Sequence, residues 1–211
     1  MNMSTKQGYL LVVDDIPDIL KLLDATLQFK GYRVVTARDG QEALEAIQKE
    51  RPLLVIADIL MPRMDGFNLV HHLRIDPVTR DIPVIFLSAT YVAQEDKEFA
   101  LSIGVTRFIE KPVNFAEFLP VVEELLAQGR HATRELLDEY EFYEGYRKRL
   151  EIKFQQKVTQ IARDLHLLET LSESEKPTFE ATLQQAIKEK EEIQLLLDQI
   201  RERLKRYTKP E

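Results

Sequence analysis

The sequence predicts an α/β fold, a parallel sheet covered by helices on both faces, followed by an all-α hairpin. Three observations predict it. Short apolar runs alternate with stretches of helical periodicity. Charged or hydroxyl residues stand at or just beyond the ends of four of those runs. From about residue 130 the strand-like runs stop and heptad spacing takes over. The runs are Tyr9-Leu10-Leu11-Val12-Val13, Leu53-Leu54-Val55-Ile56-Ala57, Pro83-Val84-Ile85-Phe86-Leu87 and Thr106-Arg107-Phe108-Ile109. Continuous apolar runs of this length suit strands buried on both faces, and helices between them make the sheet parallel.

The elements follow in order. Pro17 sits where a first helical turn tolerates proline, and Ile19, Leu20, Leu22, Leu23 and Leu27 form a stripe that ends before Gly31. Residues 32–36 read as a second strand. Asp39-Gly40 precedes a helix with Ala43, Leu44 and Ile47 on one face. The strand that ends at Asp58 leads into Met61-Pro62-Arg63-Met64-Asp65-Gly66, a loop punctuated by proline and glycine. Phe67, Leu69, Val70 and Leu73 open the third helix; residues 93–102 and 115–127 read as the fourth and fifth.

The pattern changes at Gln128-Gly129-Arg130, which sets two domains, 1–129 and 130–211. Leu136, Tyr140, Tyr143, Tyr146, Leu150, Phe154, Val158, Ile161, Leu165 and Leu168 recur in steps of three or four, implying one helix of roughly ten turns. The segment from Ser172 to Pro177 breaks it with fresh capping residues. Phe179, Leu183, Ala186, Lys190, Ile193, Leu197, Ile200, Leu204 and Tyr207 then alternate steps of four and three, a coiled-coil spacing. Two long helices joined by a short break predict an antiparallel hairpin. One helix pair has little interior of its own, so it is expected to pair with a second copy, as a homodimer, or with another protein.

Composition excludes several classes. There is no cysteine, so neither disulfides nor thiolate metal sites form. No apolar run approaches the roughly 20 residues of a bilayer span, and residues 1–7 are polar, so no membrane role and a cytoplasmic location are expected. Of the net charge of −7, residues 130–211 hold 16 Lys+Arg against 17 Asp+Glu, which leaves 13 against 19 in residues 1–129. Neither part has the basic excess of a nucleic-acid binder. A helix-turn-helix needs short helices and a basic recognition helix, and these are long and nearly neutral.

The parallel sheet gives the acids their meaning. Ligands bind such sheets beyond the carboxyl ends of the strands. Asp14, Asp15, Asp58, Ser88 and Lys111 would converge there. Taken singly, Asp14-Asp15 before Pro17 could cap a helix, and Lys111 before Pro112 could be a solvated lysine. Together they make a site. Clustered carboxylates repel unless a cation or a proton intervenes, and an all-oxygen set points to Mg2+ rather than Zn2+. Lys111 and Ser88 would balance charge on a phosphoryl group in transit, and a carboxylate is a suitable acceptor for it.

Residues 8–127 resemble the receiver domain of two-component response regulators. The resemblance rests on Val12-Val13-Asp14-Asp15, Asp58-Ile59-Leu60-Met61-Pro62, Met64-Asp65-Gly66, Leu87-Ser88-Ala89 and Lys111-Pro112. It implies a doubly wound, flavodoxin-like sheet of strand order 2-1-3-4-5. It implies Asp58 as phosphoacceptor, and Mg2+ held by Asp15, Asp58 and the Leu60 carbonyl, with Asp14 acting through water. It further implies Lys111 pairing with the phosphoryl oxygens across a cis bond to Pro112, Ser88 turning toward the phosphate, and Phe108 at an aromatic switch position. Leu60 and Thr90 flank the site, and an apolar Leu60 offers no hydrogen bond to an attacking water, so slow self-dephosphorylation is expected. The partner is a sensor histidine kinase or phosphotransfer protein. No catalysis beyond the protein's own phosphoryl handling is expected. For residues 130–211 the reading is an interaction or dimerisation module. The alternatives are a signalling linker of a larger regulator whose effector enzyme lies elsewhere, or a phosphotransfer hairpin that uses His166.

Overall fold

The structure, a computed structural model, describes residues 8–89, 93–129, 137–172 and 176–207. The chain divides into two compact units, residues 1–137 and 138–211.

The first unit runs β1 (Leu10–Val13), α1 (Pro17–Phe29), β2 (Val34–Ala37), α2 (Gly40–Lys49), β3 (Leu54–Asp58), α3 (Gly66–Ile75), β4 (Val84–Ser88), α4 (Gln94–Ser102), β5 (Arg107–Glu110) and α5 (Phe115–Gln128). All five strands are parallel, in the order β2-β1-β3-β4-β5, as the resemblance implies. The three central strands are the most apolar, and every residue of Leu10–Val13 and of Leu54–Ala57 is at most 1% exposed. Alternate residues serve opposite faces. Leu10, Val12, Leu54, Ile56, Ile85 and Leu87 pack with Leu20, Leu23 and Leu27 of α1 and Phe118, Val122 and Leu125 of α5. On the other face Phe86 meets Phe67 edge-on at 5.5 Å, and Phe67 meets Phe99 of α4 at 5.3 Å. Each fully buried Leu or Phe contributes about 2 kcal/mol, so the layers hold the strand ends rigidly.

The second strand begins two residues later than the sequence predicts. Gly31, at φ +82°, and Tyr32 both return their amides to the end of α1, on Gln28 and Leu27, so residue 32 closes the helix instead of opening the strand.

The second unit is α6 (Glu139–Leu168) and α7 (Lys176–Lys205), 30 residues each and about 45 Å long. They run antiparallel: Arg203 Nη1 donates to Tyr143 Oη at 2.5 Å, and Lys157 pairs with Glu189 at 2.8 Å. The α7 stripe packs as its spacing predicts along most of its length, with Leu183, Ala186, Ile193, Leu197 and Ile200 buried, but its last member, Tyr207, lies beyond the helix and is exposed. The α6 stripe holds only in part. Tyr143, Tyr146 and Leu150 are buried, but Tyr140, Val158 and Leu165 are exposed. At about 100° per residue, the successive steps of four from Tyr146 carry Val158 about 80° away from Leu150, out of the seam. Phe142 and Lys153, which the periodic series skips, are buried instead.

The start of α6 is set by Asp138, which accepts from Glu141 N at 2.7 Å while the Glu141 carboxylate accepts from Asp138 N at 3.2 Å. That capping box is written in the sequence as Asp-x-x-Glu. Leu136 of the expected stripe, Thr90 beside the site and residues 173–175 of the expected break lie outside the described residues. Among the described residues, no helix is long and apolar enough to cross a membrane.

Candidate functional site

The carboxyl ends of β1, β3, β4 and β5 bring four of the five marked residues together. Asp14 follows β1 directly and is 1% exposed. Its Oδ1 accepts from Ile16 N at 3.0 Å, a local bond that fixes the turn into α1. Its Oδ2 accepts from Lys111 Nζ at 2.7 Å. Asp58 ends β3, with a side chain 13% exposed, and its Oδ1 lies 2.9 Å from the same ammonium. Lys111 therefore bridges two buried carboxylates. Its backbone is fixed as well, since Lys111 N donates to Ser88 O at 3.0 Å; the bond to Pro112 is cis. Ser88 closes β4 and is buried, opposite Glu110 in the parallel register. Asp15 is the outlying member: it stands next to Asp14, and its residue is exposed.

The electrostatics follow from the burial. Desolvation pushes the Asp58 carboxyl up from 3.8 to about 6; Lys111 opposes this, while Asp14 and Asp15 add to it. Burial draws the Lys111 ammonium down, but Asp58 and Asp14 outweigh it and hold the group above the ordinary lysine range. At neutral pH the site thus holds an ionised carboxylate that is costly to keep ionised. Such a group gains from any further positive charge.

Among the described residues, no three acidic or histidine side chains are gathered as a metal-holding cluster. Asp14 and Asp58 converge on Lys111 instead, and Asp15 faces outward. The donor chemistry nevertheless fits a hard cation: the donors are carboxylate oxygens with no imidazole or thiolate among the site residues, and the charge of Asp58 is raised in energy chiefly by burial, with Asp14 and Asp15 adding to it.

The loop after β3 completes the site. Leu60 N donates to Asp58 Oδ2 at 3.1 Å, and Leu60 itself is half-buried. Gly66 N donates to Ile59 O at 2.7 Å, and a Cβ on Gly66 would lie 2.5 Å from Asp58 O, so glycine is required for this close approach. Phe108 on β5 is half-buried, with Lys97 Nζ 5.9 Å from its ring centroid and 2.6 Å from Glu110 Oε1.

A family model described as the response regulator receiver domain matches residues 10–123. The chain belongs to the response regulator receiver domain family. A protein of Leptolyngbya boryana described only as an uncharacterized 14.6 kDa protein is 38% identical over 54% of the chain and 87% of its own length. Transcriptional regulatory protein GlrR of Escherichia coli is 40% identical over 63% of the chain, but that match spans 29% of GlrR. Response regulator PleD of Caulobacter vibrioides is 39% identical over 50% of the chain and 23% of its own length. The chain thus spans less than a third of those two regulators. Among solved structures, a chemotaxis response regulator of Vibrio cholerae is 35% identical over 56% of this chain and 98% of its own, with a TM-score of 0.53. A receiver domain from a histidine kinase of Syntrophus aciditrophicus is 34% identical over 62% and 98%, with a TM-score of 0.54.

Sequence reasoning missed the support under the receiver site. Asp39, 1% exposed, caps α2 and also pairs with Arg63 from the β3–α3 loop. The Asp39-Gly40 pair marks a helix start in the sequence, but nothing local links it to Arg63, 24 residues away. His166, the alternative phosphate carrier, is in the second unit with an 84% exposed side chain 3.6 Å from Glu169, and so faces solvent.

Proposed function

We propose that this receiver accepts a phosphoryl group on Asp58 and passes the change to its C-terminal helices. The observation that carries the reading is the Lys111 ammonium held between Asp14 and Asp58, at 2.7 and 2.9 Å, at the carboxyl edge of the sheet. A carboxylate oxygen of Asp58 attacks the phosphorus of a phosphohistidine on a sensor kinase or phosphotransfer protein. The P–N bond breaks, its electron pair returns to the imidazole, and an acyl phosphate forms. Lys111 then follows the negative charge from the carboxylate to the phosphoryl oxygens, and the Ser88 hydroxyl donates to one of them. Asp14, Asp15, Asp58 and the Leu60 carbonyl would hold Mg2+, which supplies neutralisation of phosphoryl charge. Without a bound cation burial holds the Asp58 carboxyl up at about 6, so the nucleophile is ionised at neutral pH. Mg2+ on the same carboxylate would favour the ionised form further, so labelling in saturating Mg2+ is expected to fall only at pH values lower than that.

Leu60 contributes an apolar side chain beside the acyl phosphate and no bond to an attacking water, which supports a long phosphoryl lifetime. The paired helices support self-association or capture of a protein partner as output, with a homodimer as the first expectation. The chain's chemistry is confined to its own phosphoryl handling. The test is acetyl phosphate with Mg2+, read by mass spectrometry: wild type gains one phosphate and Asp58→Ala does not. Undiminished labelling of the variant overturns the assignment. Light scattering with and without beryllofluoride then reads the output, and a monomer mass both for the full chain, with or without the mimic, and for residues 1–129 rejects dimerisation.

A further inference from the structure

The β3–α3 loop touches the acceptor through Leu60 N, and what holds that loop is an ion-pair clamp on the next helix. Arg63, at φ +60°, is the one non-glycine residue with positive φ among the described residues. L side chains adopt that conformation rarely, and an arginine there must be held by its surroundings. Here its guanidinium reaches Asp39, and its Nη2 lies 2.7 Å from Glu42 Oε1. Both acids are themselves fixed. Asp39 Oδ1 accepts from Gln41 N at 2.8 Å and Glu42 N at 3.0 Å as the cap of α2, and Glu42 Oε2 accepts from Arg38 N at 3.0 Å. The adjoining backbone is tied to the same place: Gly40 N donates to Met64 O at 2.8 Å, and a Cβ on Gly40 would lie 2.6 Å from Met64 Cγ. The loop is therefore anchored at its base by Leu60 and Gly66, against Asp58 and Ile59, and in its middle by Arg63 and Met64, against the start of α2.

We infer that Arg63 is a positioning residue for phosphoryl transfer: by clamping the loop to the N-terminus of α2 it holds the Leu60 amide against Asp58 Oδ2 and the Leu60 carbonyl at the site. This rests on Asp58 being the acceptor. An exposed ion pair ordinarily contributes little. This one differs because a fully buried cap carboxylate is one of its partners and because it enforces a backbone conformation that the residue would otherwise leave. Two variants separate positioning from stability. Arg63→Gln removes the charge and keeps the unfavourable φ; Arg63→Gly removes the charge and makes that φ acceptable. The glycine variant is thus expected to unfold at or above the temperature of the glutamine variant, yet to position Leu60 less well because glycine frees the loop.

The experiment measures hydrogen exchange of the Leu60 amide in the metal-free full chain, the thermal midpoint, and the initial rate of labelling by acetyl phosphate. Expected is exchange several-fold faster in Arg63→Gln and tenfold or more in Arg63→Gly, with labelling slowed in that same order and against the order of midpoints. Exchange unchanged in both variants, or labelling rates that follow the midpoints, overturns the clamp. Wild-type protein that takes no phosphate on Asp58 overturns the acceptor assignment instead, and the amide exchange still decides whether Arg63 holds the loop.

Discussion

The two units bury a lysine by different routes. In the receiver, Lys111 is brought by strand ends 97 residues apart onto Asp14 and 53 residues apart onto Asp58. In the hairpin, Lys153 is 7% exposed because helical periodicity turns it inward, between Leu150 and Phe154 of the stripe. Convergence from distant sequence makes a site, because chain segments are fixed there at an entropic cost that only many buried contacts offset. Local periodicity makes a surface. The difference explains why chemistry can be assigned to the receiver residue by residue, and only association to the hairpin.

The largest test of this contrast removes the hairpin's packing. Leu197 is 2% exposed in the seam, and Leu197→Ala is expected to cost about 3 kcal/mol of hairpin stability in urea unfolding. Acetyl-phosphate labelling of Asp58 should keep its wild-type rate. A parallel loss of labelling would mean that the receiver's site depends on the helices, and the contrast would fail.

The next test acts on the receiver alone. Burial raises the Asp58 pKa by about two units, so the folded state binds the proton more tightly than the unfolded one. The cost of its charge is absent below about pH 4, grows as pH rises toward about 6, and is complete above that, at about 3 kcal/mol with the Lys111 attraction already included. Asp58→Asn carries no charge at any pH. It should therefore stabilise the receiver by about 2 kcal/mol at pH 8 and by nothing at pH 4. Destabilisation at pH 8 would show that the Lys111 attraction, not desolvation, dominates.

The same distinction marks what the sequence makes legible. Strand ends at Val13, Asp58, Ser88 and Glu110 follow from apolar runs, and so the meeting of Asp14, Asp58 and Lys111 follows too. The Asp39–Arg63 link does not, because it depends on a loop conformation at φ +60° that no periodicity encodes. In the hairpin, α7 keeps its alternating spacing from Leu183 to Ile200, whereas the run of four-residue steps in α6 turns Val158 and Leu165 outward. The Asp138 cap was readable as Asp-x-x-Glu, and it decides where α6 starts more firmly than the apolar series that precedes it. Asp138→Ala should cost about 1 kcal/mol, read as a lower helix midpoint by circular dichroism. An unchanged midpoint would mean that packing of Tyr143 and Tyr146, not the cap, fixes that end.

The smallest effect concerns the pairing of α6 with α7. Lys157 and Glu189 meet at 2.8 Å with side chains 17% and 29% exposed, near the middle of both helices and beside Lys190, the polar member of the α7 stripe. Exposed i,i+4 pairs such as Lys188–Glu192, at 3.7 Å, add a few tenths of a kcal/mol at most. The interhelical pair is better shielded and closes across the seam, so a double-mutant cycle of Lys157→Gln and Glu189→Gln should give a coupling of about 0.5–1 kcal/mol. In 1 M salt, where screening acts over about 3 Å, the coupling should shrink by half or more. A coupling indistinguishable from zero at low salt would mean that apolar contacts alone set the antiparallel register, because a charge pair that registers the helices must resist its own removal.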